Sequence, residues 1–173
     1  MLRRIPGRFR HSTVLRGYDT AQVCTEGHII SMFAASNAER KQDHCIKCGA
    51  VTVMECSHCQ EPIRGHHHGS GIGTTPTNPP SFCHKCGKPY PWVEKNLAVG
   101  TALIEEMQGL SNSEKEALTK SLGDLVRDVP ATEVAVVRFK KYLPKVGTAV
   151  YAAFKDVMIS VATEEVKKKL FGL

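Results

Sequence analysis

From Val146 towards the C-terminus, apolar side chains return mostly every three to four positions: Val146, Val150, Phe154, Val157, Val161, Val166 and Leu170. Lys155, Asp156, Ser160, Glu164 and Lys168 fall between them. That period draws one apolar stripe along an α-helix. The same pattern predicts helices upstream. The first runs from Pro91 to Gly109, with Val93, Leu97, Ile104 and Met107 near one face. The second opens on Ser113-Glu114-Lys115-Glu116, a capping box in which the serine oxygen accepts an amide and the glutamate reaches back. It buries Ala117, Leu118, Leu122, Leu125 and Val126, and Asp128-Val129-Pro130 stops it. A third helix spans Thr132 to Tyr142 and ends near Pro144. Residues 93–173 therefore read as a helical domain of three to four helices, enough for a small bundle.

Residues 18–92 break this period. They hold all seven cysteines and seven glycines, a composition that suits short strands and turns. Residues 1–17 carry Arg3, Arg4, Arg8, Arg10 and Arg16, no acid and no periodicity, and read as a basic flexible arm. Apolar residues make up 42% of the chain, but no run approaches the roughly 18–20 residues of a membrane helix. Met1-Leu2-Arg3-Arg4 lacks the apolar segment of a secretory signal. A cytoplasmic, reducing location is expected, in which paired cysteines bind metal rather than one another.

Cysteine spacing changes the picture most. The metal-ligand residues form four pairs: Cys24/His28, Cys45/Cys48, Cys56/Cys59 and Cys83/Cys86. Two residues between cysteines let both sulfurs face one ion from a tight turn, and the glycine after Cys48 or Cys86 lets backbone amides point at the sulfurs. Two tetrahedral zinc ions would use every cysteine and one histidine. Consecutive pairing gives one site of Cys24, His28, Cys45 and Cys48 and another of Cys56, Cys59, Cys83 and Cys86. A cross-brace of pair one with three and pair two with four is the alternative. If His28 were only a surface residue, one ion would keep an open position able to activate water. The expected fold class is α+β: two small zinc-ribbon-like β modules in series, in a tandem zinc-ribbon domain over 18–92, followed by a C-terminal α-helical bundle.

Other chemistry is sparse. His66-His67-His68 resembles a third metal site but falls in the long spacer of the second ribbon, which predicts an exposed loop tip or a partner-contact loop. His58 and His84, inside knuckles, read as exposed neighbours of the ligands. There is no G-x-S-x-G, no Walker phosphate loop and no H-E-x-x-H, and no thiol is spare for nucleophilic attack once both ions are bound. The formal charge of +6 falls to about +3 when seven thiolates and two zinc ions are counted, too modest by itself to imply nucleic acid.

Several stretches carry a resemblance. Tyr18-Asp19, Ala21-Gln22-Val23-Cys24, Gly27-His28, Pro62-Ile63-Arg64-Gly65, Phe82-Cys83-His84-Lys85-Cys86-Gly87-Lys88-Pro89 and Pro91-Trp92 together look like a bacterial family known as domain of unknown function 2321. The resemblance covers about residues 18–145. It implies a bacterial cytoplasmic protein with two zinc-ribbon-like sites and brings no activity with it.

The expected function is a non-enzymatic zinc-binding adaptor that works by protein–protein interaction through the helical domain, with two structural zinc ions and no small-molecule substrate. The alternative is a nucleic-acid-binding zinc ribbon. In that reading Arg3, Arg4, Arg8, Arg10, Arg16, Lys47, Arg64, Lys85 and Lys88 touch phosphates, and Phe82, Tyr90 and Trp92 are available to stack on bases, although packing against the knuckle and first helix is the favoured role for Phe82 and Trp92. A zinc hydrolase or a cross-braced ligase-like module is the third possibility.

Overall fold

A computed structural model describes residues 17–69 and 75–173. The basic arm, apart from Gly17, lies outside the described residues. Among the described residues five short strands come first: β1 (Gly17–Thr20), β2 (Gln22–Cys24), β3 (Ile29–Ser31), β4 (Thr52–Val53) and β5 (Arg64–His68). They make two small antiparallel sheets, one of order β3-β2-β4 and one of β1 with β5. Five helices follow among the described residues: α1 (Pro91–Glu105), α2 (Asn112–Leu122), α3 (Ala131–Tyr142), α4 (Thr148–Val161) and α5 (Glu164–Phe171). The class is α+β, with small cysteine-bearing sheets and a helical C-terminal part.

The helices pack in a chain of neighbours. α1 lies against α2 and α4, α3 against α2 and α5. Phe139 of α3 stacks on Phe154 of α4 with ring centroids 5.4 Å apart. The apolar stripe of α4 points at this contact, as its period requires. One buried cluster then runs without a break from Ala21, Val23, Met32 and Ile63 of the strands through Tyr90, Trp92 and Val93 into the helices.

Four details depart from the sequence pattern. The first helix stops at Glu105, and Gly109, with φ of +85°, turns the chain towards α2. The capping box sits two residues earlier than expected. Ser111 accepts from the Glu114 amide at 3.3 Å, and the Glu114 carboxylate accepts from the Ser111 amide at 2.8 Å. The final stripe is not one helix. Ala162 and Thr163 adopt extended backbone between α4 and α5, and the Thr163 hydroxyl caps α5 by accepting from Val166. The five-residue step from Val161 to Val166 marks that break, and the helices number five rather than three to four.

The fourth departure concerns His66-His67-His68. These residues are not a loop tip. They end β5, which pairs with β1 in the register Tyr18↔His67 and Thr20↔Arg64. Between these pairs one residue on β1, Asp19, faces two on β5, Gly65 and His66, so β5 carries a bulge. Gly65 occupies it. A Cβ there would lie 2.3 Å from the Met32 carbonyl oxygen, so the residue must be glycine for the Met32 backbone to pass. The His66 amide donates to that same carbonyl at 2.8 Å.

Candidate metal centres

Four tight turns present the cysteines, and their backbone bonds repeat. The Cys45 amide donates to Ala50 O, the Cys56 amide to Glu61 O and the Cys83 amide to Lys88 O, at 2.8–2.9 Å. Each turn closes with a bond back to the first cysteine's carbonyl, from Gly49, Gln60 and Gly87. All three closing residues have left-handed φ, of +73°, +60° and +70°. The turn at Cys24 is one residue longer. There the Cys24 amide donates to His28 O at 2.9 Å, and the His28 amide donates to Cys24 Sγ at 3.2 Å.

The turns meet in consecutive pairs. The donor atoms of Cys24, His28, Cys45 and Cys48 all lie within 4.8 Å of one another, as do those of Cys56, Cys59, Cys83 and Cys86. Among the described residues no cross-braced grouping occurs, and the two sites share one burial pattern: first and third ligands buried, second half-buried, last exposed. In the first site His28 offers Nδ1, 3.5 Å from Cys24 Sγ and 3.6 Å from Cys45 Sγ, while Cys24 and Cys48 are 3.8 Å apart. In the second, Cys56 is 3.7 Å from Cys86 and Cys59 is 3.6 Å from Cys83. A tetrahedral ion with metal–sulfur bonds of about 2.3 Å and metal–nitrogen bonds of about 2.0–2.1 Å sets sulfurs about 3.8 Å apart and sulfur from nitrogen about 3.5 Å. The donor sets fit such an ion. Disulfide bonds do not join these cysteines.

Electrostatics point the same way. Burial opposes ionisation of Cys45, but amides of Lys47 and Cys48 hold its thiol down to about 7. The Cys86 amide, with that of Lys85, holds Cys83 down to about 6 against burial. The Glu61 amide favours the Cys59 thiolate, yet burial and the sulfurs of Cys86, Cys83 and Cys56 outweigh it and push Cys59 up to about 12. Thiols this close cannot all ionise on their own. A divalent cation at the centre removes the conflict.

Other side chains brace the sites. Gln22, 4% exposed, donates to Gln42 O at 2.7 Å and accepts from the Gln42 amide at 3.1 Å, which ties the Cys45 turn to β2. Glu61 pairs with Lys85 at 2.7 Å and lies 3.5 Å from His84, so it joins the two turns of the second site. Gln22 escaped the sequence reading as a brace, although it stands beside Cys24. A polar residue in a strand carries no local sign of where its amide goes.

The N-terminus of α1 locks onto both centres. Trp92 packs on Gly27 of the Cys24 turn and donates Nε1–H to Pro80 O at 3.1 Å. Tyr90 stacks on Trp92 with centroids 4.7 Å apart and lies beside Cys83; burial, then that thiolate, push its hydroxyl well up. Lys95 of α1 pairs with Glu26 in the same Cys24 turn. Tyr90 and Trp92 are each 1% exposed, so neither is free to stack on a base, and Trp92 has the packed role the sequence favoured for it.

The remaining candidates scatter. Lys47 and Lys88 are exposed on turns, Lys85 is engaged by Glu61, and Arg64 lies over the Tyr18 ring at 4.6 Å. Arg3, Arg4, Arg8, Arg10 and Arg16 lie outside the described residues. His58 and His84 are exposed and belong to neither donor set. No helix among the described residues is long and apolar enough to cross a membrane.

No curated protein and no solved structure matches the chain. A family model does, over residues 17–170, and it reaches through α4 and almost all of α5, well beyond the 18–145 that the resembling stretches span. The chain belongs to the family described as uncharacterized protein conserved in bacteria, DUF2321.

Proposed function

We propose that the chain is a non-enzymatic adaptor whose two centres each hold a structural zinc ion. One observation carries this reading: two closed four-donor sites account for all seven cysteines together with His28. Closed sites of thiolate and imidazole suit zinc as a structural ion. Every donor spent on such a site is withdrawn from nucleophilic or redox chemistry. The braces from Gln22, Glu61 and Trp92 support a rigid platform. The partner is a protein, and α3 supports that choice: Val134 and Val137 are 57% and 66% exposed beside Arg138 and Lys141. Capture from a native bacterial host tests it. A stoichiometric protein partner, lost with Val134→Asp and Val137→Asp, is the expected result; no partner, or one indifferent to both changes, defeats the reading.

A second reading rests on sheet β1–β5. Tyr18 is 55% exposed, with Arg64 over its ring and His67 beside it at 4.7 Å. An exposed aromatic beside an arginine suits a single-stranded nucleic acid, and the five arginines precede it in sequence. Such binding would weaken steeply as salt rises and would be lost in Tyr18→Ala. Binding that ignores salt, or no binding to DNA or RNA, excludes it.

A further inference from the structure

The histidines of β5 stand apart from both cysteine sites. Alternation along β5 divides them between two faces. His67 packs on Tyr18 on one face. His66 and His68 share the other, with Phe33 against both, its ring centroid 4.6 Å from His66 and 6.3 Å from His68. Beneath them lies Asp19, whose side chain is 1% exposed.

Asp19 is an unusually well-satisfied carboxylate. Oδ1 accepts from the amides of Thr20 at 2.7 Å, Ala35 at 2.9 Å and Ser36 at 3.4 Å. Oδ2 accepts from the Ser36 hydroxyl at 2.5 Å and from His68 Nε2 at 3.1 Å. Burial would raise its pKa, but the bonds from Ser36, His68, Ala35 and Thr20 outweigh that and hold it at about 2. A fixed carboxylate on Nε2 places the ring proton there and leaves the Nδ1 lone pair of His68 free. His66 Nδ1 lies 3.2 Å from Thr75 Oγ1, and in the tautomer that donates Nδ1–H to that oxygen the Nε2 lone pair is free.

We propose that His66 and His68 form a third metal site, for a divalent first-row cation of the zinc type, with Asp19 as the positioning residue behind His68. The ring geometry agrees. The two centroids are 5.1 Å apart with planes at 79°. Imidazoles that share a tetrahedral ion through nitrogen bonds of about 2.0–2.1 Å place their centroids about 5 Å apart. A buried carboxylate on the far nitrogen is the arrangement that metal-bound histidines use to fix ring orientation and raise basicity. Imidazole donors suit zinc, nickel or copper ions. With two protein ligands, water completes the shell, so this site exchanges its ion far more readily than the cysteine sites do.

The test uses the full chain first loaded with two equivalents of Zn2+, then titrated with further Zn2+. Calorimetry reads stoichiometry and histidine side-chain 15N NMR reads location. A third equivalent that shifts His66 and His68, and leaves His58 and His84 unmoved, is expected. His66→Gln or His68→Gln should abolish it and His67→Gln should not. Asp19→Asn should weaken it about 10–100-fold and erase the tautomer preference of His68 in the NMR spectrum. Thermal melts check that each variant is folded, and if Asp19→Asn is not, the His68→Gln result decides. The proposal fails if no third equivalent binds, if the shifts fall on other histidines, or if binding survives loss of both His66 and His68.

Discussion

Replacing Trp92 by alanine tests whether the cysteine-rich part and the helices stand or fall together. Trp92 is almost fully buried, stacks on Tyr90, donates to Pro80 O and covers Gly27 between two ligands of the first metal centre. Truncating a buried tryptophan costs about 3–5 kcal/mol, a total that includes the lost aromatic pair and an orphaned carbonyl. With a urea m value of about 2 kcal/mol/M, the midpoint should fall by about 2 M. Urea titrations of the metal-loaded chain, followed at once by helical circular dichroism and by metal release to a chromophoric chelator, read both halves. Both signals should move together, because the buried cluster is continuous through Trp92. Trp92→Phe keeps an aromatic ring on Tyr90 but loses the donor and part of the indole, so it should cost less than the alanine change, about 1–3 kcal/mol. A helical transition that stays put while metal release shifts would refute the idea that Trp92 couples the halves. So would a loss below about 1 kcal/mol in the alanine variant.

Gln60 holds a left-handed φ of +60° where the equivalent turns have glycine, so Gln60→Gly should stabilise the metal-loaded protein by about 0.5–1 kcal/mol, measured by its melting curve. Cys86→Ser should remove one metal of two and unfold the strands around the second site, whereas His67→Ala should keep both; elemental analysis beside melting curves checks the pair. Acid should release metal. Cys45 and Cys83 sit below the ordinary thiol value of 9.0, at about 7 and about 6, so the stability their thiolates contribute is full above pH 9 and shrinks as pH falls from there to those values. A bound cation pushes that loss lower still, and metal occupancy that holds steady down to about pH 3 would argue against thiolate ligation.

What the sequence displays depends on how far apart the interacting residues lie. The four ligand pairs, the α+β class and the faces of the helices all rest on spacings of two to four residues, and the structure uses them. The capping box slipped because Ser111 and Ser113 are each followed three residues on by a glutamate, and only tertiary packing chooses between them. β5 was illegible for another reason. Its partner β1 lies more than forty residues upstream, and Arg64-Gly65-His66-His67-His68 has neither alternation nor β-branched residues to announce a strand. Asp19 and Gln22 appear in the family-like stretches, but their bonds reach Ser36, His68 and Gln42, and no local pattern predicts a buried polar side chain's distant partner.

The pairing of β1 with β5 also sets the order in which the chain can be built. During synthesis the ligands of the first centre are complete once Cys48 emerges, but β1 must wait for residues 64–68 before its edge is closed. Asp19 stays without its histidine for the same interval. A fragment cut between Cys48 and Cys56 would carry a full ligand set and still expose an unpaired strand, with Asp19 lacking His68 among its five donors. The two cysteine sites follow one another in sequence, yet the first cannot be harvested as a free-standing module, and any trimmed version of this protein should keep residues 17–69 in one piece.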